Sequence, residues 1–169
     1  MKLEGILRPR GQTELQVSVA HERIRMAEIK SDESWLQLAK DPAAITFDKL
    51  SSRLQEERDQ TTILLKIATW FHEQWPDHQN LLYLEHYRDQ LNLLEEACDL
   101  TTPQGKLAAF FWLNERKDET DSRLETYPVH NGFDRGLANL SSLWLVYNAS
   151  ISLLTEALRQ AEVNVGSTS

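Results

Sequence analysis

Between Thr46 and Trp75 the apolar side chains recur at intervals of three and four. Phe47, Leu50, Leu54, Leu64, Leu65, Ala68, Phe71 and Trp75 follow one another this way, with Thr61 on the same line. That spacing is the signature of an amphipathic α-helix. At 1.5 Å per residue the helix is about 45 Å long. A stripe of that length needs other helices to cover it, so the segment commits the chain to a bundle.

The neighbouring segments supply those helices. Pro76-Asp77 ends the first one, and Asp77 caps a second whose stripe is Leu84, Tyr87, Leu91, Leu94 and Cys98. Thr102 is the cap and Pro103 the first position of a third, with Leu107, Phe110, Phe111 and Leu113 on its apolar face. From Asn114 to Arg123 seven residues in ten are charged, so this helix either projects into solvent or gives way to a loop. Tyr127 to Gly132 is a connection. A last helix runs from about Asp134 to Ala161, with Leu137, Leu140, Trp144, Tyr147, Ile151, Leu154 and Leu158 inward.

The beginning of the chain differs. Leu15, Val17 and Val19 alternate with polar residues, and Arg8-Pro9-Arg10-Gly11 is a turn signal, so a short β-hairpin or extended arm is expected over 1–20. Residues 21–40 form one helix or a broken pair, the second piece capped by Ser31 or Asp32 and ended by Asp41-Pro42. Only 6 glycines and 5 prolines occur in 169 residues, which disfavours an all-β fold. The expected fold is all-α, an up-and-down helical bundle of four to five main helices over residues 21–162. A disordered tail follows at 163–169.

Charge and cysteine content narrow the function. The net charge is −8, divided as +1 over residues 1–40, −7 over 41–100 and −2 over 101–169. An acidic middle disfavours direct nucleic-acid binding, which needs a basic stripe. It suits a basic protein surface or a divalent cation. One cysteine, Cys98, rules out a disulfide framework. The first residues lack a signal-peptide core, and no apolar run approaches the roughly 18 residues of a membrane helix. A cytoplasmic protein is expected.

The acidic middle is concentrated in two patches. Glu56, Glu57 and Asp59 lie on one helix, Glu95, Glu96 and Asp99 on the next. Glu57 stands about 19 residues before the Pro76-Asp77 turn and Glu96 about 19 after it, the same height in an antiparallel hairpin. Glu57 also falls on the core stripe, where a carboxylate must be paired, protonated or metal-bound. Facing carboxylates can hold Mg²⁺ or Mn²⁺. Glu96-x-x-Asp99 resembles half of the signature of the all-α nucleotide pyrophosphohydrolases, which set Glu-x-x-Glu on one helix against Glu-x-x-Asp on the next. The first patch here is Glu56-x-x-Asp59. The resemblance implies a Mg²⁺-dependent hydrolase with Glu57, Glu96 and Asp99 as ligands and Glu56 and Glu95 as outer acids or a base. The plainer reading is an ion-pair layer with Arg53 and Arg58.

Other chemical signals are weaker. His72, His78 and His86 do not reproduce a paired Glu-x-x-His bundle site. Arg123 and His130 resemble the Arg-x(4–6)-His motif of the HEPN ribonucleases, though Pro128 and Gly132 interrupt the helix that motif needs. Cys98 on an apolar stripe is an inert thiol rather than a nucleophile. Trp70 and Trp112 each neighbour a residue already on an inner stripe, which sends them to the flank as partner-binding candidates. The leading expectation is therefore a non-enzymatic module that binds another protein, with a homodimer as one form of that. The alternatives are the Mg²⁺-dependent hydrolase and a helical subunit of a nucleic-acid-processing complex.

Overall fold

A computed structural model describes residues 2–128 and 132–168, and the side chains of residues 14–128 and 132–162. It contains five helices: α1 (Lys2–Ala39), α2 (Phe47–Gln74), α3 (His78–Ala97), α4 (Pro103–Glu125) and α5 (Arg135–Thr168). A single 3-10 turn, Pro42–Ala44, sits between α1 and α2. There are no strands among the described residues.

The helix boundaries follow from local chemistry. Thr46 accepts a hydrogen bond from the Lys49 amide at the start of α2, Asp77 from Asn80 at α3, and Thr102 from Gly105 at α4. Each satisfies one of the amides a helix start leaves unpaired. Asp134 does the same for Leu137 at the start of α5. Pro103 occupies the first turn of α4, where its missing N–H costs nothing.

Each helix packs on the next in the chain, and α1 closes the ring by packing on both α5 and α2. The enclosed core contains Trp35 from α1, Leu50 and Leu54 from α2, and Leu94 from α3. Ala109, Trp112 and Leu113 join from α4, and Val146, Tyr147 and Leu154 from α5. Every helix of the ring thus contributes to one continuous apolar centre. The expected all-α bundle is the fold observed.

Two local expectations are corrected, and one pair of alternatives is decided. Leu15, Val17 and Val19 lie in α1 and not in a strand. Their alternation is compatible with both, and the helix gains its hold from the residues that follow. Of the two readings of residues 21–40, the single helix is observed, because Ser31 is a buried inward residue of a continuous helix and caps nothing. α4 does not end near Asn114. It continues to Glu125 because Arg116 turns toward the bundle and Thr120 is buried.

The tail at 163–169 lies outside the residues with described side chains. α5 is also long and apolar enough over Arg135–Glu162 to cross a membrane by length and composition, which the sequence stripe had not suggested. One side of that segment, with Leu143, Val146, Tyr147, Ser150 and Leu154, is buried in the bundle.

Candidate functional site

The acidic patches do not converge. Glu57 is buried, 8% exposed, and points to α1. Its Oε1 accepts from Trp35 Nε1–H at 2.8 Å and from the Ser31 hydroxyl. Ser31 and Trp35 are one turn apart on α1, so both donors reach the same oxygen. Glu95 and Glu96 are exposed on α3. Glu56 pairs with Arg53, and Asp59 with Arg58 at 3.2 Å. Asp99 sits in the α3–α4 turn, where hydrogen bonds from the Thr101 hydroxyl and amide hold its carboxyl below the usual range. Among the described residues no group of three or more His, Cys, Asp or Glu side chains could share a metal ion.

What Glu57 does border is a polar cleft of about 430 Å³ between α1, α2, α3 and α4. Arg116 of α4 is its hub. Its guanidinium lies over the Trp112 ring at 5.6 Å and the Tyr147 ring at 5.9 Å, and donates to the Tyr147 hydroxyl at 3.4 Å. It faces Glu119 at 3.6 Å and Asp32 at 3.7 Å, and Arg123 reaches the other Asp32 oxygen at 3.9 Å. Trp35 packs at a tilt against Trp112 at 5.7 Å and Tyr147 at 5.4 Å, which joins the cleft to the core.

The electrostatics of this cleft follow from burial. Burial alone would lower the Arg116 pKa, but Tyr147, Glu57 and Glu119 outweigh it and hold the guanidinium charged. Burial pushes the Tyr147 phenol up to about 12 against the pull of Arg116. Tyr147 is therefore neutral at pH 7, and the carboxylates of Glu57, Glu119 and Asp32 supply the hold on Arg116. Burial raises Asp32 more than Arg116 and Arg123 lower it. Glu28 is raised by burial and then by Asp32 and Glu119. Gln60 Oε1 and Arg116 Nε are buried without a protein partner along this cleft. A polar space of this size accommodates water that can meet both.

None of this assembles a nucleophile with a base. Cys98 is half-buried, and burial pushes its thiol up, with Arg58 opposing, which is the wrong direction for a reactive thiolate. His78 and His86 are exposed, and His130 lies outside the described residues.

The tryptophan expectation is half corrected. Trp112 is 2% exposed and belongs to the core, because α4 is rotated to face α5 and α1 with that side. Its ring is enclosed by the core and does not stand on the flank. Trp70 is half-buried and lines an apolar groove of about 470 Å³ between α1 and α2.

That groove leads to a surface the sequence spacing had not singled out. With Leu15 as origin and about 100° per residue, Ala20, Ile24, Ala27, Ser31 and Trp35 fall within an 80° arc centred at about 160°. This is the inner face. Leu15, Val19, Met26 and Ile29 fall within about 80° centred on zero. They are 65%, 46%, 54% and 39% exposed. α1 therefore carries two apolar faces back to back, and the bundle covers one. The signal was present at 15, 19, 26 and 29 as a four-then-seven-then-three spacing, hidden by the stronger alternation of Leu15, Val17 and Val19.

The fold and its surfaces define a five-helix bundle with a polar cleft open to solvent and one two-faced helix. No family model, curated protein or solved structure matches this chain.

Proposed function

We propose that this protein is a non-enzymatic helical module that binds another protein through the outer face of α1. The observation that supports this best is the second apolar stripe on α1. Scattered exposed apolar residues are ordinary on a folded surface. Four on one helical line, continuous with an apolar groove, are the form a partner surface takes. The acidic middle of the chain then serves as solvating surface rather than as the contact itself.

The test is site-specific photo-crosslinking in the native host. A photoreactive side chain at Met26 is expected to give one discrete protein adduct, and the same probe at Glu85, exposed on α3, none. Equal adducts at both positions, or none at Met26, would overturn the proposal. Thermal stabilisation by millimolar Mg²⁺ that Glu96→Gln abolishes would favour the hydrolase instead.

A further inference from the structure

The charges around the outer face of α1 are mixed on its far side and of one sign on the side that adjoins α2. Arg23 and Lys30 flank the stripe on one side and Arg25 on the other, each about 60–80° from its centre. Glu22 and Glu33 lie on the line of the stripe, and Glu14 and Asp32 lie beside Arg25, so the uniformly basic edge is the one toward the groove, with Arg23 and Lys30. Leu15 and Val19 also form the lip of the α1–α2 groove, where Ala20, Ile67 and Trp70 supply apolar wall. The charged residues lining that groove are Arg23 and Lys66, with no acid among them. In a chain of net charge −8 this is a local inversion.

Charge also discriminates among occupants. In a second copy of α1 the flanking positions would again be Arg23, Arg25 and Lys30. In an antiparallel pair the Arg23 and Lys30 edge would meet its own copy, base against base, which opposes pairing. The apolar groove between α4 and α5 gives no such direction, because Arg159 and Glu162 both line it.

We infer that the outer stripe of α1 and the adjoining α1–α2 groove seat an amphipathic helix with acidic flanks, contributed by another protein. Its apolar side chains, spaced by three and four, lie along Leu15, Val19, Met26 and Ile29. One of them enters the groove against Ala20, Ile67 and Trp70. Its carboxylates meet Arg23, Lys30 and Lys66. The inference rests on the protein-binding reading above and adds the chemistry of the partner.

The experiment uses the full chain and two synthetic amphipathic helices about three heptads long. Both carry the same leucine stripe, one flanked by glutamate and the other by lysine. Fluorescence anisotropy is expected to show the glutamate peptide binding about tenfold more tightly, the combined effect of a few exposed charge pairs. Arg23→Glu with Lys66→Glu should abolish or reverse that preference, and Val19→Asp should weaken both peptides, with melting temperatures near that of the parent chain. Equal affinity for both peptides overturns the acidic partner and leaves the protein-binding reading standing. Absence of binding by either peptide, together with no Met26 adduct, overturns both. Co-sedimentation with phosphatidylserine vesicles that the glutamate peptide does not compete assigns the surface to a membrane and overturns the inference. A dimer that Val19→Asp dissociates assigns it to a second copy and also overturns it.

Discussion

At the scale of single residues, Glu57 decides how α1 is held. Ser31 and Trp35 donate to its one oxygen across the α1–α2 seam. Glu57→Ala leaves two buried donors unpaired, at about 1–3 kcal/mol each. A loss of about 2–4 kcal/mol in urea unfolding is expected, whereas Glu57→Gln, which keeps a carbonyl oxygen in place, should lose about 1 kcal/mol or less. A pH dependence sits beside it. Burial, then Asp32 and Glu119, raise the folded-state pKa of Glu28. The native state therefore holds its proton to higher pH than the unfolded chain does, and this residue costs stability as pH rises through that raised value. Glu28→Gln should stabilise the protein at pH 7, by no more than about 1 kcal/mol given its partial exposure. The gain should shrink toward pH 4 in paired melting curves. That Glu57 is out of place among leucines was legible in the sequence. Its partners were not. Chain spacing placed Glu96 at its height, while the true donors come 26 and 22 residues earlier on another helix. The rotation of α2 about its own axis chooses between them, and it is set by all the core contacts together.

At the scale of elements, the sequence was most informative where one residue type has one local role. Asp77 and Thr102 cap the two helices expected of them. It was least informative where a polar residue packs inward, as Arg116 does. A long side chain can bury its stem and still present charge, so a charged run does not mark a helix end. The α3–α4 corner shows how tightly one such element is placed. A Cβ on Gly105 would lie 1.7 Å from the Asp99 carbonyl oxygen and 2.9 Å from that of Glu96. Both are backbone atoms and cannot swing aside. Gly105→Ala should force the start of α4 away from α3 and cost about 3 kcal/mol or more. A melting temperature equal to that of the parent would show that the corner gives way freely.

At the scale of the whole molecule, the ring of five helices is not uniform. α2 with α3, and α4 with α5, pack along long shared faces, whereas α1 meets α2 over a short one closed largely by the Glu57 clasp. Beyond that clasp α1 presents Leu15, Val19, Met26 and Ile29 to solvent. A segment with few buried apolar contacts opens at lower free energy than the core it leans on. Amide hydrogen exchange should therefore find residues 14–30 of α1 the least protected of the interior helical amides, and α4 and α5 near Leu113 and Val146 the most. Glu57→Ala should lower protection in α1 through Trp35 while leaving the α4–α5 amides almost unchanged. Uniform loss across all five helices would mean that α1 and the rest open as one unit. The same asymmetry suits the proposed role. A helix held firmly at Ser31 and Trp35 and loosely before them can adjust its outer face to an incoming helix without disturbing the aromatic centre of Trp35, Trp112 and Tyr147. Saturating glutamate-flanked peptide should then slow exchange in residues 14–30 more than anywhere else in the chain. Equal slowing in every helix would show general stabilisation in place of local docking.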